Sequence, residues 1–262
     1  MERKKIRYFV DSNSDSTSLE VVKIIKSRLD NTLGFLFDEE KPELVISVGG
    51  DGRLLRSIRK YFHRIESLSF VGISTGSLGF LCEFKHNEVE EFLSLVTSKT
   101  PKYLSNRIIE VEYDDKKEYY VNEFRLEKLT STLNCEVYIN NEKFEDLHGN
   151  GVNVSTSTGS TGYNKSLNGP VVHPYNQVLI FGEIAPINNR VYQSFNSFLV
   201  LRDVDEIKLN GDFSNVLIGG DTDVKVNNIS GEIKIRLSEK AFNFAYFKSL
   251  RYYRNLKDSF IK

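Results

Sequence analysis

A chain of 262 residues, 40% hydrophobic and 27% charged, has the composition of a globular protein and the length for two modest domains, which excludes disordered, collagen-like and coiled-coil chains. Its 35 basic and 36 acidic residues leave a net charge of −1, so nucleic acid, which demands a positive footprint, is not expected as a partner. Cys82 and Cys135 form no CxxC pair and none of the four histidines stands at zinc-ligand spacing, which argues against a structural zinc site.

Residues 6–10 form a short β-rich run, too short for the apolar core of a signal peptide. Thr17 and Glu20 have capping-box spacing, and Val21, Val22, Ile25 and Leu29 follow at helical period. Residues 44–48 are apolar and β-branched, as in a strand buried on both faces. Leu54, Leu55, Ile58, Tyr61 and Phe62 return to helical spacing, and residues 69–73 read as strand. A helix is expected from near Asn87, with Val89, Phe92, Leu93 and Val96 on one face and Glu90 in its first turn. This β-α-β-α-β-α order predicts a Rossmann-like α/β domain with a parallel sheet over residues 1–100.

From Pro101 the period changes. Ile109, Val111 and Tyr113 alternate with acids, residues 114–117 read as a polar turn, and residues 119–126 as one strand. Residues 135–139, 178–181, 198–201, 207–209 and 233–236 are strand-like, with Asn140-Asn141 as a turn. The expectation is an all-β sandwich over residues 101–243, with the aromatic and basic segment 244–262 docking back on the α/β domain. No apolar run approaches the ~20 residues of a membrane span, so a cytoplasmic protein without membrane contact is expected.

Three motifs carry chemistry. Val48-Gly-Gly-Asp-Gly-Arg53 lies between a strand and a helix, where glycines admit a ligand and the helix N-terminus offers N–H donors to an anion. The plainer alternative is a strand–helix turn in which Asp51 caps the helix. Ser155-Thr-Ser-Thr-Gly-Ser-Thr-Gly-Tyr-Asn-Lys-Ser166 can surround phosphate or ribose oxygens with donors, or be a polar surface loop. Asn122-Glu123 interrupts an apolar strand, and one of the two must face inward, where a buried polar group needs a partner.

Together with Thr75-Gly-Ser-Leu-Gly-Phe80, Gly169-Pro-Val-Val-His-Pro174, Glu183-Ile-Ala-Pro-Ile-Asn-Asn-Arg190 and Lys257-Asp-Ser-Phe-Ile261, these motifs resemble the NAD kinases over nearly the whole chain, in their short bacterial form. The GGDG loop is shared with diacylglycerol kinases, sphingosine kinases and phosphofructokinases; the Asn-Glu pair and the GSTGY loop are what single out NAD kinases. The resemblance implies transfer of the terminal phosphoryl group of ATP, or of polyphosphate, to the 2′-hydroxyl of the NAD adenosine ribose. NAD is then substrate rather than cofactor, NADP is the product, and Mg²⁺ or another divalent cation arrives with the nucleotide rather than on a protein cluster. It further implies Asp51 as catalytic acid–base residue, Gly50 and Gly52 as the open phosphate loop, and Asn122 and Glu123 as adenosine contacts. Thr161, Gly162, Tyr163, Asn164, Lys165 and Ser166 would line the same pocket, with Thr158 and Ala185 at its edges and His148 and Asn150 on a ligand-facing turn. A homodimer or homotetramer is implied as well.

The chain departs from the family pattern at Arg53, where Thr is common, at His148-Gly-Asn-Gly151, where relatives read Arg-Gly-Asp-Gly, and at Gly162, where Ala is usual. Arg53 is either a surface residue of the first helical turn or an added phosphate contact. Two other functions remain open from sequence: a lipid kinase with the same GGDG loop, and a non-catalytic NAD(P)-binding sensor.

Overall fold

The computed structural model describes residues 5–76, 79–248 and 252–261. Ser77 and Leu78 of the Thr75–Phe80 motif, and residues 249–251 and 262 of the C-terminal segment, lie outside them. Two compact units result: the chain up to Ser105 joined by Ala241 onward, and Asn106–Lys240. These divisions stand a few residues inside those read from the sequence, because long strands run through both boundaries.

The first unit contains β1 (Ile6–Ser12), α1 (Ser16–Leu29), β2 (Phe35–Phe37), β3 (Leu44–Val48), α2 (Asp51–Lys60), β4 (Ser69–Ser74), β5 (Phe84–Lys85) and α3 (Val89–Ser98). Strands β2-β1-β3-β4 pair in parallel, with Tyr8 opposite Leu44 and Leu44 opposite Ser69. Side chains alternate across these strands. Tyr8, Val10, Ile46 and Val71 meet the apolar stripes of α1 (Val21, Ile25, Leu29) and α3 (Val89, Phe92, Leu93, Val96). On the opposite face, the Phe9 ring lies 6.2 Å from that of Tyr61, just after α2. The expected Thr17 capping box is replaced by Asp15, whose Oδ1 accepts from Ser18 N at 2.9 Å, because Asp15 holds the N-cap position with Ser18 three residues on.

The second unit contains β6 (Lys102–Tyr113), β7 (Lys116–Tyr120), β8 (Glu123–Glu127), β9 (Leu133–Ile139), β10 (Glu142–Gly149), β11 (Gly151–Thr156), α4 (Tyr163–Ser166), β12 (Leu179–Ile184), β13 (Phe198–Leu201), β14 (Glu206–Gly211), β15 (Phe213–Gly220), β16 (Asp223–Ile229) and the first part of β17 (Ile233–Tyr246). One sheet runs β13-β12-β11-β8-β15-β16; β10-β9-β14-β17, with β6 and β7 alongside, form the other. Val111, Val137, Leu209 and Ile235 of the second sheet share a core with Phe124, Val154, Phe181 and Ile218 of the first. That is the expected sandwich.

The expected turn at 114–117 is tighter: Asp114 and Asp115, at φ 47° and 56°, close the β6–β7 hairpin, and Lys116 already pairs with Tyr113. The single strand expected over 119–126 is two strands in different sheets. Between them the Asp221 carboxylate accepts from Val121 N at 2.9 Å and Asn122 N at 2.7 Å and turns the chain. The end of β17 returns to the first unit, where Asn243 and Phe244 pair in parallel with Ser69 and Phe70. The last helix of that unit, α5, covers Tyr252–Phe260.

Candidate functional site

In the first unit, β3 ends at Val48 and the chain turns through Gly49 at φ +154°, where a Cβ would stand 2.8 Å from Arg53 Cβ. Only glycine fits there. Gly50 is the N-cap of α2 and has no heavy atom within 4 Å of a Cβ position, so the fold leaves open the space a side chain would take. Gly52 follows in the first helical turn. The Asp51 carboxylate does not cap the helix. Oδ2 accepts from Phe80 N at 2.7 Å and Oδ1 from Leu81 N at 3.0 Å. Burial raises its pKa, against the pull of those two N–H groups and of the Cys82 thiol.

Arg53 is half-buried and already ion-paired. Its Nη2 donates to Asp11 Oδ1 at 2.8 Å and to the Ser12 carbonyl, because α2 starts beside the end of β1.

In the second unit, Asn122 and Glu123 leave the Asp221-held bend side by side. Glu123 is buried, and its pKa is raised to about 7 by desolvation and by Asp221, with Arg125 acting the other way. A Cβ on Gly162 would stand 3.5 Å from Glu123 Oε2 and 3.6 Å from Asn122 Nδ2, so all three converge on one spot. Asn122 Oδ1 is buried with no hydrogen-bond partner. An orphaned acceptor beside a buried carboxyl awaits a donor. The Arg125 guanidinium lies 4.4 Å from the Tyr163 ring centroid, beyond the short helical turn Thr158–Thr161.

The remaining residues divide. The Asn164 amide is spent inside the loop, donating to Ser160 O at 3.2 Å and Pro170 O at 2.9 Å. Thr158 donates to Asn106 Oδ1 at 3.2 Å and is buried, whereas Ser166 is exposed and Thr161 and Lys165 are half-buried. His148, Asn150 and Ala185 form a second group. Asn150 N donates to Ile184 O at 2.9 Å, Ile187 N to His148 O at 2.7 Å, and Ala185 sits at φ 44°. The His148 ring meets Asn134 Oδ1 at 2.6 Å and lies 4.2 Å from the Tyr192 ring.

Sequence reasoning missed three contributors: Asp221, Arg125 and the amides of Phe80 and Leu81. Arg125 stands two residues from Glu123, on the same strand face, and alternation would have found it. Asp221 ends a second Gly-Gly-Asp triplet at 219–221, the only local signal for it.

The raised carboxyls have a consequence for stability. Glu83 and Glu183 also titrate at about 7, Glu83 through burial and Glu183 through burial and the neighbouring Glu145. Between the ordinary glutamate value and about 7, the folded state keeps protons that the unfolded chain has released, so stability falls as pH rises through that window. At the acid end the sign reverses. Burial notwithstanding, Arg236 and Lys117 hold Glu110 down at about 2, and Arg202 holds Asp205 at about 2, contributions lost as pH falls toward that value. Calorimetry is therefore expected to give a higher Tm near pH 6 than at pH 8. Glu183→Gln, which keeps an acceptor for Asn196 N at 2.6 Å, is expected to flatten that slope. Parallel curves would remove Glu183 from the account.

Comparison with known proteins gives one answer. Residues 8–100 match the family model described as the ATP-NAD kinase N-terminal domain, and residues 118–247 that of the ATP-NAD kinase C-terminal domain. The NAD kinase of Lactobacillus acidophilus is 35% identical over 257 residues, covering 95% of each chain. NAD kinase 1 of Bacillus anthracis is 34% identical over 264 residues, covering 98% of this chain and 99% of its own. Among solved structures, yeast NADH kinase in complex with NADH is similar with a TM-score of 0.84 at 18% identity, covering 97% of this chain and 87% of its own. An NAD kinase from Archaeoglobus fulgidus in complex with ATP gives 0.78 at 24%, covering 97% and 98%. These structures share the fold, an α/β unit and a β-sandwich. With both halves matched by family models and relatives aligned over nearly the full length, the chain belongs to the NAD kinase family.

Proposed function

We propose that this protein transfers the terminal phosphoryl group of ATP to the 2′-hydroxyl of the adenosine ribose of NAD, releasing ADP and NADP. The observation that carries the nucleoside reading is the convergence of Glu123, the orphaned Asn122 carbonyl and Gly162 on one spot. Glu123 accepts from ribose hydroxyls, Asn122 from the base, and Thr161, Gly162, Tyr163 and Ser166 complete the wall. His148, Asn150 and Ala185 contact the far part of the dinucleotide.

Asp51 is the general base. Each of its oxygens already accepts one N–H and keeps a lone pair for the ribose proton. As that proton moves to Asp51, the ribose oxygen attacks the terminal phosphorus and the bond to the ADP oxygen breaks. The open Gly50 position, Gly52 and the free N–H groups of α2 receive phosphate oxygens. Mg²⁺ or another divalent cation would arrive with the triphosphate. That ion would neutralise charge on the transferring group. The protein works as a homodimer or homotetramer in the cytoplasm.

The family models leave the lipid-kinase alternative without support, since both halves match ATP-NAD kinase domains. The sensor alternative predicts NADP binding without turnover. Incubation with NAD, Mg²⁺ and either ATP or polyphosphate decides: NADP formation is expected with at least one donor, and its absence with both overturns the proposal. Glu123→Gln is expected to weaken NAD by about 1–3 kcal/mol, the worth of a charge-assisted bond in a dry site, with a smaller effect on ATP. Because Glu123 ionises at about 7, the gap between wild type and variant should widen from pH 6 to pH 8 in calorimetric titrations. A gap independent of pH would mean that the charged form does not bind the ribose.

A further inference from the structure

The two amides that hold Asp51 belong to a segment gripped from its other side by the C-terminal part of the chain. The Phe80 ring lies 5.6 Å from that of Tyr252, edge to face at 83°, and 6.3 Å from that of Phe260. Both partners are on α5. Three residues further along, Glu83 accepts from Phe247 N at 2.9 Å and Lys248 N at 2.6 Å. The Lys248 ammonium in turn pairs with Glu88 at 3.1 Å and Glu91 at 2.8 Å. Segment 80–83 thus binds Asp51 through its first two amides and the C-terminal chain through its first ring and last carboxylate.

We infer that α5, through Tyr252 and Phe260, positions the general base: its rings fix Phe80, and Phe80 with Leu81 fixes the Asp51 carboxylate. The inference rests on Asp51 being the base. A short segment on a helix N-terminus would otherwise rock, and each lost amide removes a donor that favours the ionised carboxylate. The groups facing Asp51 are those two amides and the backbone N–H and thiol of Cys82. On its own helix, Arg53 is turned away to Asp11. On α5, burial pushes the Tyr252 phenol up, so it stays neutral across the working range. Glu83 titrates at about 7 within the same segment and has to be told apart from Asp51.

The test is the pair Tyr252→Ala and Phe260→Ala, alone and combined, in the full chain. Expected are a fall in kcat at pH 7 of about tenfold, a fraction of the 10²–10⁴ worth of a positioned base, and a KM for NAD within about twofold of wild type. The acid limb of the kcat profile should move up by about one pH unit, since Asp51 loses donors to its charged form. Tyr252→Phe, which keeps the ring, should restore the wild-type profile. In an Asp51→Asn background the same substitutions should cost no further kcat, because they act through the residue already removed; Glu83 is unchanged in that background. A loss of equal size there, or one uniform across pH, would overturn the inference, as would an unchanged kcat in the combined variant. Where the alanine variants fail to fold, Phe260→Leu is read by the same measurements. Amide exchange at Phe80 and Leu81, faster in the variants than in wild type, reads the positioning without substrate. It therefore separates failure of this inference from failure of the proposed reaction.

Discussion

Asp51→Asn is expected to lower NADP formation by roughly 10²–10⁴, the usual worth of a positioned general base, with NAD affinity near wild type. The structure adds a cost. Both carboxylate oxygens accept from backbone N–H groups, and an amide offers one oxygen and one NH₂. Either Phe80 N or Leu81 N would then face a donor, at about 1–3 kcal/mol, while removal of a partly desolvated charge offsets some of that loss. A drop of a few degrees in Tm with intact near-ultraviolet circular dichroism is therefore compatible with the role; near-normal turnover in a folded variant is not.

Gly159→Ala is expected to be the most disruptive single methyl group in the loop. Its Cβ would stand 2.0 Å from Asn122 O and 2.4 Å from Asn122 C, backbone atoms fixed by Asp221 and by Thr156, whose Oγ1 also receives Gly159 N at 3.0 Å. Neither side can yield without breaking these bonds. A loss of more than ~3 kcal/mol is expected in urea unfolding, with NAD binding abolished at any concentration that saturates wild type. Gly162→Ala is the control. There a Cβ meets Gly159 O at 3.3 Å and Glu123 Oε2 at 3.5 Å, and stability should change by less than about 1 kcal/mol. Equal behaviour of the two variants would show that the loop does not rest on Asn122.

What the sequence revealed was set by local period. Leu44–Val48 is buried at every position, and Val89, Phe92, Leu93 and Val96 face the core as a helical stripe, because both patterns act within a few residues. The Asn140-Asn141 turn was legible for the same reason. The break at Val121 and Asn122 was not, because its cause, Asp221, lies about a hundred residues away. Arg53 misled for a similar reason: its position in the first helical turn suggested solvent or phosphate, whereas Asp11, on a neighbouring strand, takes its charge. Of the candidate site, the glycine turn and the Asn-Glu pair were readable as motifs. The two amides holding Asp51 were not, since a backbone donor leaves no trace in residue type.

The path of β17 bears on the order in which the molecule can be completed during synthesis. A nascent chain that has reached Lys240 contains the whole of the second unit, yet it lacks Phe244, which pairs with Phe70, and Ala245 and Phe247, both buried in the core of the first. The unit encoded first is therefore finished last. At ribosomal rates of about 5–20 residues per second, the missing piece follows within a few seconds, during which the edge of β4 that receives β17 stays unpaired and exposed to other chains. Translation that stops early would release a polypeptide with its sandwich complete and its Asp51-bearing unit open, a species prone to capture by chaperones or proteases and, without Tyr252 and Phe260, deprived of the ring contacts on Phe80, whose amide holds the Asp51 carboxylate.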